Sequence, residues 1–411
     1  LTLTRQALFS AQQIHDQLLL YRWQSQLGRI FKAQGDNMKA IVALRQAVTN
    51  INNMSVREQI VMTGYTKDTF RERISPAYFE LADLLLQQAQ VAKTTTNQDQ
   101  WLREARETIE SFKKAELQDY FQSECVAIQT QCLSIEQALD AQTAILYPIV
   151  LPQRLELLLT LPGRKDLVRV TVPVSEKALR KEIAFFLSPL RRHPLSYASS
   201  ENEEEEQEIC TPSSQQNIPL TAAVSRRSQA FLGPANKLYR WLIQPLTEKL
   251  TTHNIKTLIV VPEGVLRTIP FAALHNGQHF LVQNYALVLA PSLCLSNLTG
   301  WERNLVGNML LSGLSEAVQG FSSLPCAQYE IETLQELYDL YDTWHVPLLN
   351  ESFTYPNMQK KIRQTRYSIV HIASHGQFKP NLQNTFLLTY RDNLSMDKLE
   401  RLVRRTTLQE Q

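Results

Sequence analysis

Apolar residues recur at three- and four-residue steps from residue 1 to about residue 143, the spacing that gathers them on one face of a helix. Gly and Pro are scarce there, so the pattern predicts helix almost throughout. The period changes near Ala144. Ile145–Leu159 and Leu167–Val174 are strand-like runs separated by Pro162-Gly163, which predicts a hairpin. Ser175 is placed to cap a helix running to Leu187, and a longer helix is predicted from about Ser228 to Thr251. From Lys256 onward the two periods alternate. Strands are predicted at 257–261, 286–290, 308–312, 344–349, 368–373 and 386–390, and helices at 325–341, 355–363 and 395–404. Strands alternating with helices of this length imply parallel βαβ units, hence a mainly parallel sheet between helix layers.

Within the helical region, Leu27, Gly28 and Phe31 fall on one helix, Gly35-Asp36-Asn37 reads as a turn, and Ala40, Leu44 and Ala47 fall on the next. Small residues opposite large ones let antiparallel helices approach closely, and the order resembles the tetratricopeptide (TPR) pattern. A weaker copy has Leu81, Ala82 and Leu85, then Ala105, Ile109 and Phe112, its turn lengthened by the polar stretch Thr94–Gln100. A plain helical bundle satisfies the same periodicity. Either array buries its faces only against neighbouring hairpins, and the chain opens mid-pattern without Met. It therefore reads as a fragment that further N-terminal repeats precede.

Composition narrows the function class. Charge is nearly balanced, with 42 basic against 40 acidic residues, which gives no strong argument for nucleic acid or membrane as a direct partner. No apolar run is long enough to span a bilayer, and the first residues lack a signal-peptide layout. Cys125, Cys132, Cys210, Cys294 and Cys326 are scattered, with no CxxC pair. That usage suits a reducing, cytoplasmic compartment and argues against a disulfide framework. Residues 194–219 contain the acidic run Glu201–Glu208 and then Thr-Pro-Ser-Ser, which reads as a solvated insertion or, alternatively, a dock for a basic partner.

The stretch Ser368–Phe378 concentrates the candidate chemistry. A β-branched apolar run, predicted as a buried strand, leads into Ser374-His375-Gly376, where Gly marks a sharp turn. Chemistry in α/β sheets collects beyond the carboxyl ends of strands, so His375 is placed as a general base, and its alternative is a surface turn His. His371, mid-strand, reads as a packed, hydrogen-bonded core His rather than a ligand. The His371/His375 spacing suits a metal only on a helix, and His275 and His279 flank a turn. No Gly-rich phosphate loop is present.

Four pieces together resemble the CHAT domain, the caspase-like peptidase family that travels with TPR repeats. They are Tyr147–Pro162 (YPIVLPQRLELLLTLP), Leu258–Leu274 (LIVVPEGVLRTIPFAAL), Leu311–Glu330 (LSGLSEAVQGFSSLPCAQYE) and His371–Phe378 (HIASHGQF). The resemblance implies a TPR-like helical domain over 1–143, then a CHAT domain over 144–411 that is incomplete at its C-terminus. It implies a cysteine endopeptidase with a His–Cys dyad, needing no metal or cofactor. His375 matches the dyad His, and Gly376 the residue whose N–H helps hold the oxyanion. Arg267 recurs in the family at a strand end, where it lines the substrate pocket or anchors a salt bridge. The family's nucleophilic Cys lies a few tens of residues after the His, yet none of residues 376–411 is Cys. The expectation is a chain that ends before its nucleophile, the Cys strand lying further along the protein or on a second chain. The expected partners are a protein substrate and a protein or ribonucleoprotein activator that meets the TPR-like region, with no membrane. The rival expectation is a pseudo-protease scaffold.

Overall fold

The structure, a computed structural model, describes residues 1–53, 68–121, 140–191, 230–293, 308–339, 346–365, 367, 369–377 and 385–407. The chain divides into two compact units, 1–194 with 220–298, and 195–219 with 299–411. The acidic insertion at 194–219 lies outside the described residues.

Among the described residues, five helices open the first unit: α1 (Thr2–Gln13), α2 (Gln17–Ala33), α3 (Asn37–Asn52), α4 (Asp68–Val91) and α5 (Thr95–Phe121). Asp16 caps α2 by accepting from the Leu19 N–H at 2.9 Å, and Asp36 caps α3 through the Lys39 N–H at 3.1 Å. Between them Gly35 takes a φ of +79°, where a side chain would be strained. Gly28 lets α2 and α3 close up, because a Cβ there would stand 2.7 Å from Leu44 Cγ. Leu81, Ala82, Leu85, Ala105, Ile109 and Phe112 are all buried between α4 and α5. The predicted long turn at Thr94–Gln100 is corrected. Thr94 Oγ1 accepts from the Asn97 N–H at 3.2 Å, so the polar run starts α5.

The helices lie over a five-stranded sheet of β1 (Thr143–Val150), β2 (Leu155–Thr160), β3 (Val168–Val172), β4 (Thr257–Val260) and β5 (Ala286–Leu289), in the order β3-β2-β1-β4-β5. The pairs β3–β2 and β2–β1 are antiparallel, with Ile145 opposite Thr160, whereas β1–β4 and β4–β5 are parallel, with Ala144 opposite Leu258. The run 145–159, predicted as one strand, is two. Leu151 N–H donates to Arg154 O at 2.9 Å and closes a turn at Pro152, which cannot donate to a ladder. Alternate residues of β1 and β4 enter two cores. Ile145, Tyr147, Ile149 and Ile259 join the helices α2–α5, while Ala144, Leu146, Leu258 and Val260 join α6 (Glu176–Arg191) and α7 (Leu232–Leu242). Ser175 caps α6 as predicted, accepting from the Ala178 N–H. The single helix predicted over 228–251 breaks at Pro245 into α7, a 3₁₀ turn and α8 (Thr247–Thr252).

A buried ionic group fixes the hairpin strands. Glu156, fully buried, accepts from Arg154 at 2.6 Å, from Arg169 at 2.7 and 2.9 Å, and from the Thr171 hydroxyl at 2.8 Å. Burial works to raise its carboxyl, but the hydrogen bonds from Arg169 and Arg154 hold it below the ordinary value.

The second unit holds β6 (Met309–Gly313), α9 (Pro325–Asp339), β7 (Leu348–Leu349), α10 (Tyr355–Gln364), β8 (Ile369–Ala373), β9 (Gly376–Gln377), β10 (Phe386–Leu388), β11 (Asn393–Ser395) and α11 (Met396–Thr407). One sheet has the order β7-β6-β8 with every pair parallel, and the other has β11-β10-β9 with every pair antiparallel. Leu310, Phe353, Met358, Ile362, Leu388 and Leu394 form its core. The predicted parallel pairing is present as β1–β4–β5 and β7–β6–β8. The strands nevertheless belong to separate sheets in separate units, and antiparallel pairs flank the parallel ones. The strand predicted at 344–349 is confined to Leu348–Leu349 among the described residues. No described helix is long and apolar enough to cross a membrane.

Candidate active site around His375

Three strands of the second unit aim their carboxyl ends at one place. β8 ends at Ala373, whose carbonyl accepts from the Leu314 N–H at 2.9 Å just past the end of β6. Ser374 Oγ donates to Leu388 O at 2.6 Å, and Leu388 N–H donates to His375 O at 2.8 Å. The backbone of 373–375 is thus fixed from β6 on one side and β10 on the other.

The His375 ring is held by the loop that follows β6. Its Nε2 lies 2.8 Å from Ser322 O, and its ring centroid is 5.3 Å from that of Phe321. Phe321 in turn meets Phe386 edge-on at 6.3 Å. A carbonyl only accepts, so this contact places the proton on Nε2 and, in the neutral ring, the lone pair on Nδ1. The loop is itself pinned. Asn350, at a φ of +46°, accepts on Oδ1 from the Ser315 N–H at 2.8 Å, and Gln319, at a φ of +52°, donates from Nε2 to Thr389 O at 2.8 Å. Gly313 lets α9 sit close against β6, since a Cβ there would stand 2.9 Å from Ile331 Cγ1.

Gly376 is exposed and faces Leu387 across the β9–β10 ladder. The Leu388–His375 hydrogen bond makes Gly376–Leu387 a non-hydrogen-bonded pair, so the Gly376 N–H turns away from β10. His371 lies further back on β8, with Nε2 2.8 Å from Glu330 Oε1 on α9. It is hydrogen-bonded as predicted but only partly buried. The expectation that this strand is fully buried is corrected. β8 stands at the edge of its sheet among the described residues, every one of its side chains keeps some exposure, and Val370 is 41% exposed.

The remaining candidates fall elsewhere. Arg267 belongs to the first unit, with Nη1 2.7 Å from Glu116 and Nη2 3.1 Å from Glu263. These ion pairs favour the anchoring role over the pocket-lining one. His275 uses Nδ1 to accept from the Gly277 N–H at 3.0 Å. Among the described residues no group of three or more His, Cys, Asp or Glu is arranged to hold a metal ion. Cys326, in the first turn of α9, is disulfide-bonded, which corrects the expectation of reduced thiols at that position. Cysteines far apart in sequence carry no signal of which ones folding brings together. Cys125, Cys132, Cys210 and Cys294 lie outside the described residues. Sequence reading missed Phe321 and Ser322, although their loop follows the carboxyl end of the strand predicted at 308–312, a place to look.

Residues 232–409 match the CHAT domain. The match spans α7 to α11 and includes Arg267, His375 and Gly376. Tyr147–Pro162 precedes the matched span, yet β1 and β2 share a sheet with the matched β4 and β5. No curated protein matches the chain.

Proposed function

We propose that the intact protein is a caspase-like cysteine endopeptidase in which His375 is the base. The observation that carries this reading is the Nε2–H···O=C contact between His375 and Ser322, which orients the ring and fixes its tautomer at the carboxyl edge of β8. The Nδ1 lone pair accepts the thiol proton. The thiolate attacks the scissile carbonyl carbon, and the imidazolium so formed returns its proton to the leaving amine. The Gly376 N–H, turned away from β10, is one donor to the oxyanion. The nucleophilic Cys enters on a strand that pairs with the outer edge of β8. No metal takes part in this sequence of steps. The N-terminal hairpins act as TPR-like repeats, whose exposed surface receives a protein or ribonucleoprotein activator.

The test is reaction of the full-length protein with iodoacetamide, read by peptide mapping. The proposal expects one cysteine C-terminal to His375 to alkylate at mildly acidic pH, and His375→Ala to slow that site at least tenfold. Equal labelling in both proteins would point to a pseudo-protease scaffold.

A further inference from the structure

A cavity of about 490 Å³ lies within the first unit, at the carboxyl ends of β1 and β4. These two strands are parallel neighbours, and the sheet continues from them in opposite directions, from β1 to β2 on one side and from β4 to β5 on the other. The crevice outside such a switch point is where open α/β sheets bind ligands. Val150 and Pro152 line it at the end of β1. Glu263, Gly264 and Val265 line it after β4, where Gly264 turns the chain at a φ of +55°. Side chains of α2, α4 and α6 complete the wall. The volume is that of a small-molecule site.

The charges on the wall select the ligand. The wall carries four carboxylates, Glu80, Asp83, Glu176 and Glu263, against two cations, Lys32 and Arg180. Both cations are held by carboxylates of the wall itself, Lys32 by Asp83 at 3.2 Å and Arg180 by Glu176 at 2.6 Å. An entering anion would have to compete with those carboxylates. Glu80 and Glu263 draw their cations from behind the wall, Arg29 at 3.0 Å and Arg267 at 3.1 Å, neither of which lines the cavity. The other cations nearby are shared. Arg154 serves Asp83 and Glu156, and Lys113, whose charge also reaches Glu263, is buried 3.6 Å from Glu110. Glu263 is only 1% exposed, so its charge acts across the cavity with little screening by water. One ion pair does not exhaust a carboxylate, which has about four lone-pair sites. Phe79, Val150, Pro152 and Val265 make the rest of the wall apolar, and the Phe79 ring itself attracts a cation.

We propose that this cavity is a binding site for a small organic cation, an amine or guanidine on an aliphatic chain. Glu80 and Glu263 take its charge, and Phe79, Val150 and Val265 take its chain. Such a ligand ties α4 to the loop after β4 and so stabilises the first unit. The site does not depend on the peptidase reading.

The test titrates agmatine, a guanidine and an amine joined by an aliphatic chain, into the full-length protein by calorimetry, with thermal melts alongside. Glutarate and pentanol serve as the anionic and uncharged controls. The site predicts saturable one-to-one binding of agmatine with a raised thermal midpoint, and neither effect with the controls. Glu263→Gln and Glu80→Gln should each weaken agmatine at least tenfold. Ser75→Phe, which fills the cavity from α4, should abolish saturation. Glu263 is buried, so if its variant fails to fold, the half-buried positions Glu80 and Ser75 decide. The absence of saturable agmatine binding at millimolar concentration overturns the proposal. Agmatine binding that is unchanged in both Glu80→Gln and Ser75→Phe places it elsewhere and also overturns it. Glutarate or pentanol binding as tightly as agmatine overturns the assignment of a cation.

Discussion

His375 Nε2 lies 2.8 Å from the carbonyl oxygen of Ser322, a residue 53 positions earlier in the chain. The contact ties the turn after β8 to the loop after β6. It does so with a backbone acceptor, which no side-chain substitution removes, so the tautomer of the ring is set by where the loop runs. Whatever holds the loop also holds the base.

Phe321 is the direct test of that dependence. Its ring packs on both His375 and Phe386. In the active full-length protein, Phe321→Ala is expected to lower kcat roughly 10- to 100-fold with KM little changed, because a small displacement of a base is costly. Phe321→Tyr should restore most of the rate. A larger effect on KM than on kcat would mean that the ring contacts substrate instead.

Gly313→Ala probes the same loop from beneath. The added methyl would meet Ile331 and Leu349, pushing α9 away from β6. A loss of about 1–3 kcal/mol in denaturant unfolding is expected from such overpacking. Slower cleavage should accompany it, since α9 is the far end of the Ser322 loop.

Glu156→Gln leaves Arg154 and Arg169 facing a neutral group inside the first unit, and a loss of roughly 3–5 kcal/mol is expected. Its carboxyl is held below the ordinary 4.5, so its stabilisation is present above that pH and is lost as pH falls through the lower, folded value. The acid limb of a stability-against-pH curve should flatten in the variant.

Lys113 acts in the opposite pH range. Burial lowers its ammonium from the ordinary 10.5 to about 8, with Glu110 partly offsetting the shift. Between about pH 8 and 10 the unfolded chain keeps a proton that the folded chain has shed, so stability rises with pH there, by about 2 kcal/mol. Above 10 the buried Tyr147 hydroxyl, raised well above its ordinary value, acts in the other direction. In Lys113→Met the rise between pH 8 and 10 should vanish from thermal melts.

Much of the fold was legible because its signals are local. Periodicity placed the described helices of residues 1–53 and 68–121, Gly35 and Gly163 marked real turns with positive φ, and Ser175 marked a cap. Boundaries failed where one residue outweighed the pattern. Pro152 split a strand, Pro245 split a helix, and Thr94 began a helix inside a polar run. His375 could be singled out from the strand and turn around it. Its partners could not, because Ser322 contributes only a carbonyl, which every residue owns. Glu110 escaped notice for a related reason. On sequence it is one more acid on a helix, and only the fold brings Tyr147, Ser292 and Leu293 to it. The division of the described strands among three sheets was likewise invisible, since alternating periods report strand and helix but not which strands pair.

The most direct measurement compares peptide cleavage by the full-length protein with that of its His375→Ala variant, both checked for equal thermal midpoints and circular dichroism. If His375 is the base, the variant loses at least a thousandfold in kcat/KM while its melt is unchanged. Cleavage within a few-fold of the parent, from an equally folded variant, would contradict the assignment and leave the His375–Ser322 contact a structural hydrogen bond.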